Sequence, residues 1–423
     1  MQIDCFNRCS TLRLPCLGGY LLIHLAALLV APSCLAQSAP LVVPAEGPPF
    51  AGDLESINAA GRITFRDGEA SRTLSLDDLV RWSHPAVPRR QTLVLLDDGS
   101  RLVTAADWAG GAAVRLDGDA LVVLSDTWGE IRWPEHRVRG LVFAHRNRPQ
   151  ERLRLERQVL AAENPHDQVL LTNEDRVTGT LTRLAGGSLA ISTVAGEAEL
   201  PLSRVEAVMF GRRDEPSPNP SPSRSGRIVV GLRDGSLVQA DTVRTDAAEL
   251  EIDLPSGPRL EGGTRDDVAT LQSLGGRFVY LSDLEPADYR HVPYLNISWP
   301  YQRDRNLLGE PLSVQGQMYL KGVAMHSAGR LTYKLDAPYR RFEAAVAIDD
   351  SAGGRGSVVF GVHVLRDGRW QEAYKSGTVR GGDEPQLVSI DLAGAQALTL
   401  TVDYADRGDE LDHAEWLDAR LVK

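Results

Sequence analysis

Residues 321–350, KGVAMHSAGRLTYKLDAPYRRFEAAVAIDD, hold two strand-like runs joined by a turn containing Pro338. Leu331, Tyr333 and Leu335 share one face of the first run, and Phe342, Ala344, Val346 and Ile348 share one face of the second. The same spacing recurs at Val358, Phe360, Val362 and Val364, and again at Leu398, Leu400 and Val402. Such inward rows, broken by regular turns, predict an antiparallel two-sheet sandwich of the jelly-roll type over residues 276–423. His326 precedes the first strand, and Asp349 and Asp350 follow the second. That placement suits a ligand-binding rim, a cation site or a well-capped corner.

Upstream, the pattern stays all-β but changes scale. Three stretches, beginning near Leu93, Val169 and Ile228, each read as strand, acidic turn, strand, second turn and a short closing strand. GRITFRDGEASRTLSLDDLVRWSH, from Gly61, reads as a partial fourth copy after a Pro-rich leader over 37–60. Units of this size predict an array of small SH3- or Sm-like bent sheets or barrels. The divisions expected are 61–145, 146–210 with a short helical connector, a Pro/Ser linker at 211–226, and 227–275. The units read as spacers or docking elements for the final module.

The first 36 residues combine Arg8 and Arg13, an apolar run and a small-residue finish at Cys34-Leu35-Ala36. This is the layout of a secretory signal peptide, with an uncleaved membrane anchor as the alternative. It predicts a secreted, periplasmic or cell-surface protein. All four cysteines lie in this segment, so the remainder has no disulfide and no thiolate site. The formal net charge of −11 argues against nucleic acid as a partner.

The C-terminal motifs YLSDL, GEPLSVQGQMYLKGVAMHS, RFEAAVAIDDSAGGRGSVVFGVHV and SGTVRGGDEPQLVSIDLAGAQALTLTVDYADRGDELDHAEWLDARL resemble, in order and spacing, the NPCBM/NEW2 family. These are carbohydrate-binding modules related to family 51. The resemblance implies a galactose-binding-like sandwich that binds a glycan, most simply a galactoside, and a structural calcium ion of the kind such sandwiches hold. It places a histidine at His326, and a carboxylate, a tryptophan and an aspartate at Glu415, Trp416 and Asp418. The carbohydrate-binding candidates are therefore His326, Asp349, Asp350, Trp416, His413 and Trp299, with Tyr294 and Tyr301 in the same apolar loop as Trp299. Aromatic faces stack on pyranose rings, while imidazoles and carboxylates bond hydroxyls; Trp416 can equally pack inside, and His326 can equally bond backbone. For calcium the candidates are Glu415, Asp283 and Asp288, since a hard cation takes oxygen ligands.

Catalysis is not expected. No Gly-x-Ser-x-Gly elbow, His-Glu-x-x-His pair or phosphate-cradling glycine loop occurs. The repeats and the sandwich also leave no room for a catalytic barrel. The alternatives to a free glycan binder are an envelope adhesion protein whose sandwich binds protein, and an accessory subunit of a separate glycoside hydrolase.

Overall fold

The closing strands of the repeats, such as Val138–Val142 and Val205–Met209, are almost wholly buried and pair with one another, so the array is one body rather than beads. The structure, a computed structural model, describes residues 40–423 except 107–112, 144–148, 213–226, 256 and 295. The expected export segment and nearly all of the Pro/Ser linker therefore lie outside the described residues.

The array contains four copies of one design. In each, an opening strand pairs antiparallel with a closing strand that follows a 3-10 turn: Leu41–Pro44 with Leu79–Trp82, Leu93–Leu96 with Val138–Val142, Asp167–Leu171 with Val205–Met209, and Ile228–Leu232 with Val268–Ser273. One hydrogen bond recurs in all four. The amide after the opening strand reaches a 3-10 carbonyl: Ala45 to Asp78, Asp97 to Arg137, Thr172 to Arg204 and Arg233 to Asp267, at 2.7–3.0 Å. The supposed leader is thus corrected. Leu41–Pro44 is the opening strand of the first copy, kept from sight by Pro44, which the ladder accepts because the register shifts between Val43 and Pro44.

The four copies share a 14-stranded sheet in the order third, second, fourth, first. Third and second meet through their closing strands, as do fourth and first. Second and fourth meet through the strands after their acidic turns, where Val103 N donates to Ser236 Oγ and Gln239 N to Ser100 Oγ, both at 2.9 Å. The end copies carry Asp175 and Pro48 at the place of these serines, so neither outer end repeats that contact. Gly140 permits the close approach of second and third: a Cβ there would lie 2.1 Å from the Val208 oxygen. The helix Pro149–Leu160 covers the outer face, setting Leu155 and Val159 against Leu93, Val142 and Met209.

The sandwich follows. Its front sheet runs Gln302–Arg303, Gly322–His326, His413–Val422, Arg341–Ile348, Gln386–Asp391, with Phe278–Tyr280 paired to the end of His413–Val422. Its back sheet runs Asp288–His291, Gly329–Lys334, Ala397–Tyr404, Ser357–Arg366, Arg369–Lys375. The rows expected from alternation fill the space between: Phe342, Val346, Val358, Phe360, Leu398 and Leu400 are fully buried there. A hairpin, Leu312–Val314 with Gln317–Tyr319, lies over the outer face of the front sheet, where Leu312, Val314 and Tyr319 pack on Ala324, Ala347 and Leu417.

Array and sandwich join through a buried seam. Val43 and Val80 of the first copy pack against Phe278, Tyr280 and Val422. Beside them Arg81 Nε donates to Asp418 Oδ2 at 3.0 Å, and Arg420 donates to the carbonyls of Pro44 and Ala45.

Candidate functional site

His326 and His413 sit opposite each other on neighbouring front-sheet strands. Side chains alternate along a strand, and Val323, Met325, Ala414 and Trp416 fill the core. Both histidines therefore point away from it, at the outer edge of the sheet's end. The loop after Asp288–His291 wraps round this end and lays Trp299 flat on His326, with ring centroids 5.1 Å apart and 3° between the planes. His413 lies 6.0 Å from the same indole and 6.3 Å from His326, and His291 closes the group at 5.7 Å from His326.

Hydrogen bonds hold the arrangement. His291 Nδ1 accepts from Trp299 N at 3.2 Å, so Nε2 carries the proton and donates to Ser327 O at 3.1 Å. Tyr289 Oη donates to Trp299 O at 2.6 Å, and His413 Nδ1 meets Ser351 Oγ at 2.9 Å. Burial lowers the basicity of all three imidazoles. For His326, burial first and then His413 and His291 bring it down to about 4.

His326 and His413 are 3% and 4% exposed, so they act as a floor. The open surface belongs to Trp299, which is half-buried, and to Tyr294 and Tyr404, which are 64% and 48% exposed. The two tyrosines form a corner, 6.3 Å between centroids at 82°. Tyr404 and His291 were not singled out from sequence. The one signal for Tyr404 was its place at the end of an alternating strand, just before an acidic loop.

Three other candidates are corrected. Trp416 is fully buried between Phe342 and Phe360, at 6.1 and 5.1 Å, so no sugar reaches it. Asp349 spends its oxygens inside, accepting from Asn306 Nδ2, Ser351 N and Ser313 N at 2.9–3.0 Å. Asp350 accepts from Ser313 Oγ, Gln315 N and Gly316 N at 2.6–3.0 Å, pinning the covering hairpin. The paired aspartates are fasteners for the hairpin over the sheet, one turn away from the aromatic corner.

The calcium candidates do not converge. Asp283 is paired with Lys321, which also holds Asp304 at 2.7 Å, and Asp288 lies on the back sheet, 3.9 Å from Arg330. Among the described residues no three His, Cys, Asp or Glu side chains form a metal-holding group. Glu415 is different. It is fully buried beneath the hairpin side of the front sheet, and neither carboxylate oxygen has a hydrogen-bond partner. Burial, and then the nearby Asp349, push its carboxyl well above the usual range. An orphaned carboxylate in that setting suits either a proton or a cation ringed by main-chain oxygens.

Comparison with known proteins bears on the sandwich. An alpha-1,3-galactosidase B of Akkermansia muciniphila is 33% identical over 119 residues, 27% of this chain and 14% of that protein. A protein of Renibacterium salmoninarum, provisionally named an endo-alpha-N-acetylgalactosaminidase, is 30% identical over 114 residues, 27% of this chain and 7% of that protein. The chain thus spans a small fraction of these curated relatives. Among solved structures, the CBM51 module of Clostridium perfringens GH95 in complex with methyl-galactose is 26% identical, covers 34% of this chain and 99% of that one, and gives a TM-score of 0.30. CBM51-2 of Clostridium perfringens ZmpB, in complex with GlcNAc, is 23% identical over 43% of this chain and 37% of that one, with a TM-score of 0.31. Residues 277–422, the whole sandwich, match the NPCBM/NEW2 domain.

Proposed function

We propose that this chain is an exported, non-catalytic carbohydrate-binding protein whose sandwich holds a galactoside-type glycan at the Trp299 corner. The observation that carries the reading is the indole lying flat on His326, on a loop that also carries the exposed Tyr294, itself set nearly at right angles to the exposed Tyr404. Stacked support fixes the ring, and a fixed aromatic face meets the apolar side of a pyranose at little entropic cost. The methyl-galactose complex of the similar module supports the same ligand class.

Non-catalysis turns on the carboxylates. Asp97 and Asp98, in a cleft of the array, lie 3.0 and 3.8 Å from Arg137. Asp119, Glu135 and Glu163 line the same cleft, so an assay for glycoside turnover by the full chain tests non-catalysis directly, and any turnover contradicts it. The array serves as a rigid mount. Export accords with the sequence reading; among the described residues no helix is long and apolar enough to cross a membrane.

Calcium enters this reading as a structural ion held by Glu415 together with main-chain oxygens, replacing the set that included Asp283 and Asp288. Bound there, it would neutralise the buried carboxylate and stiffen the sheet under the corner. Calcium should raise the melting temperature of the wild type, as any ligand of the folded state does, and leave Glu415→Gln unmoved. An equal shift in both proteins counts against the site.

Calorimetric titration of the full chain with methyl galactoside tests the main reading. Trp299→Ala should weaken binding at least about tenfold. Absence of heat with the wild type, with or without calcium, contradicts it. The adhesion reading draws on Val292 and Ile297, 52% and 65% exposed on the same loop; capture of a defined envelope protein with no glycan binding would favour it.

A further inference from the structure

Trp299 is gripped through its own peptide groups as well as through its ring. Its N–H donates to His291 Nδ1 at 3.2 Å, and its carbonyl accepts from Tyr289 Oη at 2.6 Å. Both grips come from one edge strand, Asp288–His291, paired with Gly329–Lys334. Residues two apart share a strand face, so Tyr289 and His291 point the same way while Asp288 and Arg290 are exposed. The His291 ring is fixed in turn. Its Nε2 donates to Ser327 O at 3.1 Å, and it meets the His326 ring edge to face, 5.7 Å away at 81°.

The two grips respond differently to acid. Burial pushes Tyr289 up to about 12, so its phenol stays a donor at neutral and acid pH. An imidazole accepts only while neutral, because the protonated ring carries hydrogen on both nitrogens. A protonated His291 still donates to Ser327 O, but it turns an N–H toward the Trp299 N–H. One hydrogen bond is lost and two donors face each other. Burial opposes that proton, while the Ser327 carbonyl and the charge of Asp409 favour it; the net effect is a lowered pKa. The neighbouring His326 is held near 4, so it stays mostly neutral where His291 titrates.

Resting on the glycan reading of the corner, we propose that His291 is a positioning residue that makes glycan binding acid-sensitive. Neutral, it holds the Trp299 peptide and keeps the indole flat on His326. Protonated, it releases the Trp299 loop and the saccharide with it. Affinity is full while the ring is neutral and falls with pH once titration begins, below about 6.5.

Two substitutions that keep opposite halves of the imidazole test this. In His291→Asn the side-chain oxygen takes the place of Nδ1 and accepts at any pH. In His291→Gln the terminal amide takes the place of Nε2, keeping the donor to Ser327 O and losing the acceptor for Trp299 N. Methyl galactoside is titrated into the full chain and each variant at about pH 7.5 and about pH 4.5. Wild-type affinity should fall at least about threefold between the two, the worth of a modest hydrogen bond. His291→Asn should bind like the wild type at the higher pH and keep that affinity at the lower. His291→Gln should begin about threefold weaker or more and change no further. Level wild-type affinity, an acid loss that persists in His291→Asn, or full affinity in His291→Gln overturns the proposal and leaves the glycan reading standing. Amide exchange at Trp299 reads the grip without glycan: in acid, protection relative to the intrinsic rate should be higher in His291→Asn than in the wild type, and equal protection overturns the proposal. Should methyl galactoside bind at neither pH, the proposal and the glycan reading fall together.

Discussion

At the residue scale, two tryptophans on one sandwich have opposite roles. Trp416 fills the core, so Trp416→Ala should cost about 3–5 kcal/mol of stability, measured by denaturant unfolding. Trp299→Ala should lose glycan affinity and cost clearly less stability than Trp416→Ala, because the half-buried indole has only part of its surface packed, on His326 and the hairpin cluster; a loss as large as that of Trp416→Ala would make Trp299 a packing residue. Alternation could not separate the two. In sequence, Trp416 falls on the face opposite Ala419 and Leu421. A bulge at Asp418, whose φ is +47°, shifts the strand by one residue and brings Trp416, Ala419 and Leu421 onto the same inner face. Titration also belongs at this scale. His326 and His84 are held near 4, chiefly by burial. Unfolded imidazoles bind protons from about pH 6.5 downward while these folded ones do not, so both residues remove stability as pH falls from 6.5 toward 4. Asp412, raised to about 6 by burial, acts in the other sense: it keeps its proton when folded, and between about pH 4 and 6 it adds stability as pH falls. Glu415, also raised by burial, acts in the same sense as Asp412, so melting curves across that range should show the histidines' acid loss set against this gain. Replacing His84 by Gln should reduce the loss, and an unchanged slope would remove His84 from the account.

At the element scale, the covering hairpin rests on Asp350. Three hydrogen bonds from Ser313, Gln315 and Gly316 converge on one exposed carboxylate, across a two-residue turn in which Gln315 and Gly316 both have positive φ. Asp350→Ala should speed amide hydrogen exchange at Gln315 and Gly316 and cost about 1–3 kcal/mol locally. Undisturbed exchange would mean that apolar packing alone holds the hairpin. The repeats show what sequence discloses about elements and what it hides. The acidic turns before Ser100 and Ser236 announce two copies plainly, because a glycine at φ +85° or +95° marks each. Glu174 takes that place in the third copy at φ +71°, and the first copy hides behind Pro44 and Pro48. Turn chemistry is local and readable; which strand edges then join, and in what order, depends on contacts between distant residues. The aromatic corner was half legible for the same reason. The chemistry of Trp299, His326 and His413 is legible in the sequence, whereas their stacking, and the diversion of Asp349 and Asp350 to the hairpin, depend on how a long loop crosses the end of the sandwich.

At the scale of the whole molecule, the described residues from 40 to 423 belong to a single compact unit. The strand His413–Val422 runs from the aromatic corner at its start to the array seam at its end. At 3.3 Å or so per residue it spans about 30 Å from His413 to Val422, and about 17 Å from His413 to Asp418, where the seam begins. The Arg81–Asp418 pair is buried on both sides, with side chains 4% and 6% exposed. Removing one partner strands the other charge, so Asp418→Ala should cost about 3–5 kcal/mol. Array and sandwich should unfold in one calorimetric transition, which the variant should split or broaden. Two independent transitions in the wild type would reduce the seam to a loose contact.

The most direct test is a crystal structure of the full chain grown with methyl galactoside. The sugar ring should lie against Trp299, within contact of Tyr294 or Tyr404, at the end of the sandwich remote from the array. A sugar seated on the hairpin, in the clefts of the array or nowhere at all would contradict the account.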